Sequence, residues 1–213
     1  MTIKNDKIRI LGKGITALAL KDKFPNATLY DDKDFENYDL QSEELTVVSP
    51  GIPPYNNMVL NSKNVVSDYD LFEDIIPFSI WISGTNGKTT TTQMCQHLLK
   101  EYNSVCGGNI GIPLSSMDEK APIWILETSS FTLHYTNKSK PNIYLLLPIS
   151  EDHITWHGSF KEYQDAKLKP LSLMKENDIA IIPEHFKDIK TEAHVITYKN
   201  SDDLCEHFNI DKT

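Results

Sequence analysis

Residues 78–92 read Phe-Ser-Ile-Trp-Ile-Ser-Gly-Thr-Asn-Gly-Lys-Thr-Thr-Thr-Thr, an apolar run followed by a glycine-flanked loop and a polar stretch. The apolar run, residues 78–83, predicts a buried strand. The polar stretch predicts a helix that continues to about Tyr102. A strand, a glycine-containing loop and a helix in this order are the setting of a phosphate-binding loop.

The loop differs in one place from the usual P-loop spacing G-x-x-x-x-G-K-[ST], since Ile82 stands at the first glycine and Gly84 follows two places later. The loop can still bind phosphate, because backbone N–H groups of the loop and of the helix N-terminus can hold phosphate oxygens. In this interpretation Lys88 reaches the β- and γ-phosphates of ATP, and the Thr89 hydroxyl binds Mg²⁺. The alternative is a glycine turn with a solvated lysine. The predicted ATP-binding residues are Gly84, Thr85, Asn86, Gly87, Lys88, Thr89 and Thr90.

A second glycine loop lies near the start of the chain, where Gly12-Lys-Gly-Ile-Thr-Ala17 follows the apolar run 7–11. It fits G-x-G-x-x-G/A, and Asp31 lies 19 residues after Gly12, close to the spacing of about 20 in dinucleotide-binding folds. By itself this motif suggests NAD, but the same loop can hold the diphosphate of any nucleotide or form a turn with no ligand. Ser49-Pro-Gly51 falls at the same carboxyl edge, where open sheets bind ligands.

Alternating strand and helix patterns predict an α/β fold with parallel sheets. Residues 1–77 predict a small Rossmann-like domain, and residues 78–213 predict a P-loop-type ATP-binding domain. A helical pattern over residues 159–175 contains Pro170, which is expected to kink or break the helix. The predicted strands are residues 7–11, 27–30, 45–49 and 65–66 in the first domain and residues 78–83, 123–126, 143–147, 178–182 and 195–198 in the second.

Acidic and histidine residues follow two predicted strands of the second domain. Glu127 comes directly after residues 123–126, and Glu151-Asp-His153 comes after residues 143–147. In a parallel sheet both groups would lie at the edge that carries the phosphate loop, where they could bind Mg²⁺ together with ATP oxygens. Because Mg²⁺ prefers oxygen ligands, His153 is interpreted either as a ligand or as a structural group.

Two further residues of this region carry no clear signal by residue type alone. His157 lies four residues after His153 and is expected to be structural or exposed to solvent. Lys167 lies in the helical pattern, where most lysines are at the surface, and the pattern gives no reason to single it out.

The composition restricts the partners of the chain. Its 213 residues include 21 Lys and Arg against 30 Asp and Glu, which gives a net charge of −9. This balance argues against nonspecific binding to nucleic acid or to an anionic membrane. No apolar run approaches the roughly 20 residues of a membrane span, and the polar start does not read as a signal peptide. The cysteines Cys95, Cys106 and Cys205 form no paired motif and are interpreted as reduced thiols of a cytoplasmic protein.

Five segments in fixed order resemble the Mur ligase family of ATP-dependent amide-forming ligases. They are Gly84-Thr-Asn-Gly-Lys-Thr-Thr90, Gly108-Asn-Ile-Gly111, Glu127-Thr-Ser-Ser-Phe131, Glu151-Asp-His153 and Tyr163-Gln-Asp-Ala-Lys-Leu168. The resemblance runs from about residue 8 to about residue 200. Within the family, Ser49-Pro-Gly-Ile52, Gly-Asn-Ile-Gly and the Ser-Ser-Phe after Glu127 favour the members that add D-glutamate.

The resemblance implies that ATP phosphorylates the carboxylate of UDP-N-acetylmuramoyl-L-alanine and that the amino group of D-glutamate attacks the acyl phosphate. It implies that Lys88 holds the phosphates and that Thr89 and Glu127 serve one Mg²⁺. His153 would serve a second Mg²⁺, together with a carbamylated Lys167 that offers a carboxylate-like oxygen. The implied substrate-binding residues are Ile15, Thr16, Asp31, Asp32, Ser49, Pro50 and Gly51 for the UDP part and Asn109 and Ser129 in the second domain.

The chain departs from the family pattern at Pro148, where Asn is usual, and at Thr155-Trp156, where Asp-Arg is usual. Family members also carry a C-terminal domain for the incoming amino acid, to which none of these residues corresponds. The resemblance therefore implies a truncated, monomeric, cytoplasmic chain that binds the UDP substrate and does not complete ligation. The alternatives are another Mur-type or folylpolyglutamate-type ligase, and a non-catalytic nucleotide-binding module.

Overall fold

Four short parallel strands form the first sheet of the computed structural model, which describes residues 8–200 of the chain. The strands are β1 (Ile8–Leu11), β2 (Thr28–Tyr30), β3 (Leu45–Val48) and β4 (Asn64–Val66). They pair in the order β2-β1-β3-β4. The helices of this half are α1 (Ile15–Lys23), α2 (Asn57–Leu60) and α3 (Asp68–Leu71), with a 3₁₀ segment at Asp32–Asn37. Strand order reverses at β1, so its carboxyl end lies at the point of the edge where open sheets bind ligands.

Six parallel strands form the second sheet, in the order β10-β9-β8-β5-β7-β6. These strands are β5 (Phe78–Ser83), β6 (Ser104–Gly108), β7 (Ile123–Glu127), β8 (Ile143–Leu146), β9 (Ile179–Pro183) and β10 (His194–Tyr198). The helices are α4 (Lys88–Leu98), α5 (Ser130–Tyr135), α6 (Ile154–His157) and α7 (Phe160–Leu173). Further 3₁₀ segments lie at Lys100–Tyr102, Leu114–Ser116 and Glu184–Phe186. Here the strand order reverses at β5, whose carboxyl end leads into the phosphate loop.

The apolar central strands of the second sheet are buried on both faces. Ile82 and Ile125 belong to a cluster on one face, which includes Cys95 and Leu99 of the α4 region. Trp81 and Trp124 belong to the cluster on the other face, and both side chains are fully buried. The continuous apolar runs of these strands follow from this two-sided burial.

The α/β fold prediction is confirmed, and each predicted strand is present with its ends shifted by at most a few residues. Strand β6 was not predicted, because its sequence Ser-Val-Cys-Gly-Gly is short and glycine-rich. Helix α4 ends at Leu98 and gives way to a 3₁₀ turn, four residues before the predicted end. Helix α7 continues for three residues beyond Pro170, so of the predicted kink or break the break is wrong, and the kink stays a prediction. Pro170 and Leu171 are buried, and Leu171 belongs to the core cluster, so packing holds the last turn in place.

The apolar core runs across residue 77 and joins the two sheets. Tyr69, which follows β4, packs edge-on against Trp81 of β5, with ring centroids 4.8 Å apart. Both belong to the same buried cluster, which extends from Ile8 in the first sheet to Ile182 in the second. The division into domains at residue 77 stays a prediction.

None of the helices within residues 8–200 combines the length and the apolar character that crossing a membrane requires. Cys95 and Cys106 are free thiols, and Cys205 lies outside the described residues.

A carboxylate of the first half also holds a loop of the second. Asp70 in α3 accepts backbone N–H bonds from Asn137 at 2.7 Å, Lys138 at 2.8 Å and Ser139 at 2.9 Å. Three donors converge on one side chain, so its loss would leave all three unpaired or dependent on water.

We predict that Asp70→Ala lowers the free energy of unfolding by about 1–3 kcal/mol, the cost of leaving such donors without their acceptor. The measurement is urea denaturation followed by circular dichroism. Asp22→Ala on the exposed side of α1 is the matched control and should change the free energy by less than about 0.5 kcal/mol. Equal stability of Asp70→Ala and wild type would contradict the assigned role.

Candidate active site

The phosphate loop, residues 84–87, connects β5 to the N-terminus of α4. Gly84 and Gly87 have φ of +142° and +82°, which side-chain-bearing residues rarely adopt. A Cβ on Gly84 would also lie 2.5 Å from the Cβ of Leu147, so this position has no room for a side chain. Lys88 curls back over the loop, and its Nζ donates to the carbonyls of Gly84 at 3.0 Å and Thr85 at 2.8 Å. The loop, the helix N-terminus and the lysine together can receive a phosphate chain.

Glu127, at the end of β7, is only 2% exposed and is held from two sides. Its Oε2 accepts a hydrogen bond from the Thr89 hydroxyl at 2.7 Å, and its Oε1 accepts one from the Asn109 amide at 2.8 Å. Strand pairing produces this meeting, because β7 lies between β5, which leads to Thr89, and β6, which leads to Asn109. The structure thus brings together three residues that are 38 and 18 positions apart in sequence.

Lys167 is almost fully buried in α7, although a helix lysine is most often at the surface. Its Nζ donates to the Gly84 carbonyl at 2.7 Å and lies 3.4 Å from the Ser83 hydroxyl. The ammonium group is 4.8 Å from the ring centroid of Tyr163. Burial and, to a lesser extent, the positive charge of Lys88 lower the pKa of Lys167 to about 7. A fraction of its amine is therefore neutral near neutral pH.

His153 lies at the N-cap of α6 with φ of +52°, and its side chain is about half exposed. Its Nε2 is 3.4 Å from Oδ2 of Asp152, and its ring contacts Phe131 with centroids 4.7 Å apart. Within residues 8–200, no three His, Cys, Asp or Glu side chains are grouped so as to hold a metal ion. A cation bound here would therefore need oxygen atoms from a nucleotide or from water in addition to protein ligands.

His157 has a structural environment, one of the two environments expected for it. Its side chain is buried, and Nε2 hydrogen-bonds the hydroxyl of Ser130 at 3.0 Å. Burial, aided by other nearby basic side chains, lowers the pKa of His157 to about 4. The imidazole is therefore neutral and serves to anchor α6 to α5.

A cleft of about 530 Å³ lies between the carboxyl edges of the two sheets. From the first half it is lined by Gly12, Lys13, Gly14, Ile15, Thr16, Ser49, Pro50, Gly51, Ile52, Asp68 and Tyr69. From the second half it is lined by Gly108, Asn109, Ile110, Gly111, Pro113 and Thr132. The cleft connects the first glycine loop to Asn109, which in turn touches Glu127.

Six predicted substrate residues line this cleft, namely Ile15, Thr16, Ser49, Pro50, Gly51 and Asn109. Asp31 does not line it and lies at the end of β2, where its carboxylate is 3.4 Å from the Lys13 ammonium. Ser129 also lies outside the lining and caps α5 by accepting the Thr132 N–H at 3.1 Å. The side chain of Asp32 lies outside the described part of the chain.

Sequence reasoning missed several side chains that line the cleft, including Lys13, Asp68, Tyr69 and Thr132. For Asp68 a signal was available, since it follows a parallel strand just as Gly12 and Ser49 do. Thr132 follows no strand and reaches the cleft only through the packing of α5. A sequence pattern could not have identified it.

The fold agrees with comparisons to known proteins. A model of the Mur ligase middle domain matches residues 82–212. The chain belongs to the Mur ligase family.

Curated relatives narrow the resemblance further. The UDP-N-acetylmuramoylalanine--D-glutamate ligase of Campylobacter jejuni is 48% identical to the chain, and the match covers 96% of this chain and 56% of the relative. The enzyme of the same name from Helicobacter pylori is 43% identical, with 96% and 55% covered. The chain thus spans about half the length of the curated relatives that it matches.

Solved structures share the fold at low sequence identity. A UDP-N-acetylmuramate:L-alanyl-gamma-D-glutamyl-meso-diaminopimelate ligase from Neisseria has a TM-score of 0.56 at 12% identity, covering 92% of this chain and 78% of that one. A MurF ligase from Thermotoga maritima, solved in complex with ADP, has a TM-score of 0.51 at 18% identity. That match covers 89% of this chain and 46% of the MurF chain.

We predict that the lowered pKa of Lys167 makes stability rise with pH. The unfolded chain carries this lysine near its ordinary pKa of 10.5, and the folded chain carries it near 7. Between these values the unfolded state binds a proton that the folded state lacks, so raising the pH favours folding. The increase in the free energy of unfolding with pH should be smaller in Lys167→Met than in wild type. The measurement is urea denaturation at a series of pH values from 7 upward.

Lys120→Met, at an exposed position, is the control and should retain the pH dependence of the wild type. An identical pH dependence in wild type and Lys167→Met would show that the buried amine is not the source.

Proposed function

We propose that this chain binds the nucleotide and the UDP substrate in an ATP-dependent ligase of peptidoglycan precursor synthesis, which adds D-glutamate to UDP-N-acetylmuramoyl-L-alanine through an acyl phosphate. The observation that carries the proposal is the position of Glu127, Thr89 and Asn109 where the phosphate loop and the cleft meet. The 48% identical ligase from Campylobacter jejuni supports the choice of D-glutamate. A cytoplasmic location and a monomeric state stay predictions.

ATP would bind with its phosphates on the loop from Gly84 to Gly87 and on the N-terminus of α4. The MurF ligase of the same fold was solved in complex with ADP, which supports binding of an adenine nucleotide by this chain. Lys88 would exchange its bonds to the loop carbonyls for bonds to the phosphates and neutralise part of their charge. Transfer of the γ-phosphoryl group depends mainly on such positioning and neutralisation.

The residues around Glu127 fit a Mg²⁺ ion that accompanies ATP. Their donor set consists of a carboxylate and a hydroxyl, both oxygen ligands of the kind that Mg²⁺ prefers, and Mg²⁺ commonly adds phosphate oxygens and water. When bound, the ion would offset phosphate charge during transfer. Thr89 and Glu127 would hold this ion, and Asn109 would keep the carboxylate oriented. His153 is proposed for a second ion beside Asp152.

Lys167 is proposed to carry a carbamate, which its environment favours. A neutral amine is required to add to carbon dioxide, and the amine releases a proton as the new C–N bond forms. The lowered pKa of Lys167 supplies that neutral amine near neutral pH. The resulting negative oxygen atoms would lie near Lys88 and the phosphate loop, where they could help to hold the second cation.

The first glycine loop is proposed to hold the diphosphate of UDP and not NAD. Gly12 has φ of +108°, and a Cβ there would lie 2.8 Å from the Cβ of Ser49. This position therefore has no room for a side chain, and a ligand in the cleft would meet the backbone there. A ligand held there by its diphosphate can extend along the cleft toward Asn109. Its reacting carboxylate would then meet the γ-phosphate beside Glu127. Asp31 and Asp32 are proposed, as the family resemblance implies, to bind the UDP part of the ligand, and Ser129, the N-cap of α5, is proposed to support the site.

We predict that UDP-N-acetylmuramoyl-L-alanine raises the melting temperature of the chain, because a ligand that binds only the folded state stabilises it. At 100 times the dissociation constant the gain would be about 2.7 kcal/mol, which is several degrees for a chain of this size. The measurement is differential scanning fluorimetry, with NAD and a folate as controls that should give no shift.

A folate shift would favour the folylpolyglutamate-type alternative. A shift with ATP but not with the UDP-sugar would favour a nucleotide-binding module and contradict the proposal.

We predict that Glu127→Gln weakens Mg²⁺-dependent ATP binding about tenfold or more, since the neutral amide loses the charge that attracts the ion. Isothermal titration of ATP with and without Mg²⁺ measures the effect. Glu101→Gln, exposed after α4, is the control and should bind like wild type. Equal enhancement of ATP binding by Mg²⁺ in Glu127→Gln and wild type would rule out this carboxylate as the ion's ligand.

A further inference from the structure

Among the described residues that line the cleft, Lys13 and Asp68 carry the charged side chains. Lys13 belongs to the first glycine loop. Asp68 follows β4 as the first residue of α3, and it is 6% exposed. The two charges therefore mark different parts of the cleft, a cation at the glycine loop and an anion toward the second sheet.

The sheet order gives the spacing between these two parts. Strand β1 leads into the glycine loop. On one side of β1 lies β2, which is followed by Asp31, and on the other side lie β3 and then β4. Neighbouring strands are about 4.8 Å apart, so Asp68 lies roughly 10 Å along the edge from the loop. If the loop holds the diphosphate and the uridine lies toward Asp31, the part of the ligand that lies beside Asp68 is the group bonded to the other end of the diphosphate. In the proposed substrate this group is the N-acetylmuramoyl sugar.

The residues on either side of Asp68 are held by hydrogen bonds and packing. Ser67 caps α3 by accepting the Asp70 N–H at 3.2 Å, and the Ser67 hydroxyl hydrogen-bonds Thr136 at 2.9 Å. Tyr69 packs on Trp81, and its hydroxyl reaches the Glu127 carbonyl at 3.5 Å. The carboxylate thus lies on a segment that is hydrogen-bonded and packed on both sides of it, between the glycine loop and Glu127.

The carboxylate lacks charge compensation within the described chain. Oδ1 accepts the Tyr69 N–H at 3.1 Å, and the charged neighbour that affects it is the like-charged Asp70. Burial raises the pKa of Asp68 to about 7. A buried carboxylate of this kind is costly unless it receives further donors, and a ligand in the cleft can provide them.

We infer, on the basis of the proposed function, that Asp68 accepts a hydrogen bond from an N–H or O–H group of the N-acetylmuramoyl part of the substrate. This contact makes Asp68 a specificity-determining residue that separates the UDP-linked sugar from UDP alone. It also sets how far the sugar extends toward Asn109, and therefore where the reacting carboxylate lies.

The test is isothermal titration of the chain and of Asp68→Asn with UDP-N-acetylmuramoyl-L-alanine, with UDP and with NAD. Asn keeps an oxygen for the Tyr69 N–H and nearly the same volume, so the fold should be retained. Loss of a charged hydrogen bond predicts about 10- to 100-fold weaker binding of the UDP-sugar. UDP, which has no sugar at this position, should bind both chains within about twofold. Asp70→Asn, also in α3 but bonded to the 137–139 loop, is the matched control and should leave the ratio of the two affinities unchanged.

Three other results would each contradict the inference, for different reasons. Equal UDP-sugar binding by wild type and Asp68→Asn would show that the carboxylate makes no such contact. An equal loss for UDP and UDP-sugar would assign Asp68 to the fold or to the diphosphate and not to the sugar. Wild-type chain that binds UDP-sugar no better than NAD would overturn the proposed function, and this inference with it.

Discussion

The buried carboxylate of Glu127 receives one hydrogen bond from the Thr89 hydroxyl and one from the Asn109 amide. A carboxylate away from water needs such donors, because its burial without them costs several kcal/mol. Here the donors come from the segments after β5 and β6, the strands on either side of β7. The pairing of these three strands therefore fixes the phosphate loop, the candidate cation site and one wall of the cleft relative to one another.

Two lysines share the carbonyl of Gly84 from different elements, Lys88 from α4 and Lys167 from α7. Burial lowers the pKa of Lys167, and the positive charge of Lys88 so close to it lowers that pKa further. The loop carbonyls compensate the positive charge while no phosphate is bound, and a nucleotide would take over that role. The chain carries a net charge of −9, so attraction to an anionic nucleotide arises from this local arrangement of lysines and N–H groups.

Features that depend on neighbouring residues in sequence could be predicted, and features that depend on packing could not. The strand before Gly84, the two glycine loops and the position of Glu127 after a strand follow from local patterns and from parallel-sheet geometry. Asn109 was assigned only through the family resemblance, because the glycine-rich strand β6 that precedes it was not predicted. The burial of Lys167 depends on how α7 packs against α5 and β8, whereas its residue type predicts a surface position. The break expected at Pro170 did not occur, because burial of the last turn outweighs one missing hydrogen bond.

The central claim is that one cleft carries a UDP-linked substrate from the first glycine loop to the cation site at Glu127. Paramagnetic relaxation tests this most directly, with Mn²⁺ replacing Mg²⁺ beside a non-hydrolysable ATP analogue and UDP-N-acetylmuramoyl-L-alanine bound to the same chain. The account predicts that Mn²⁺ broadens the NMR signal of the alanine methyl group most and that of the uracil protons least. Equal broadening along the ligand, or the strongest effect at uracil, would contradict it.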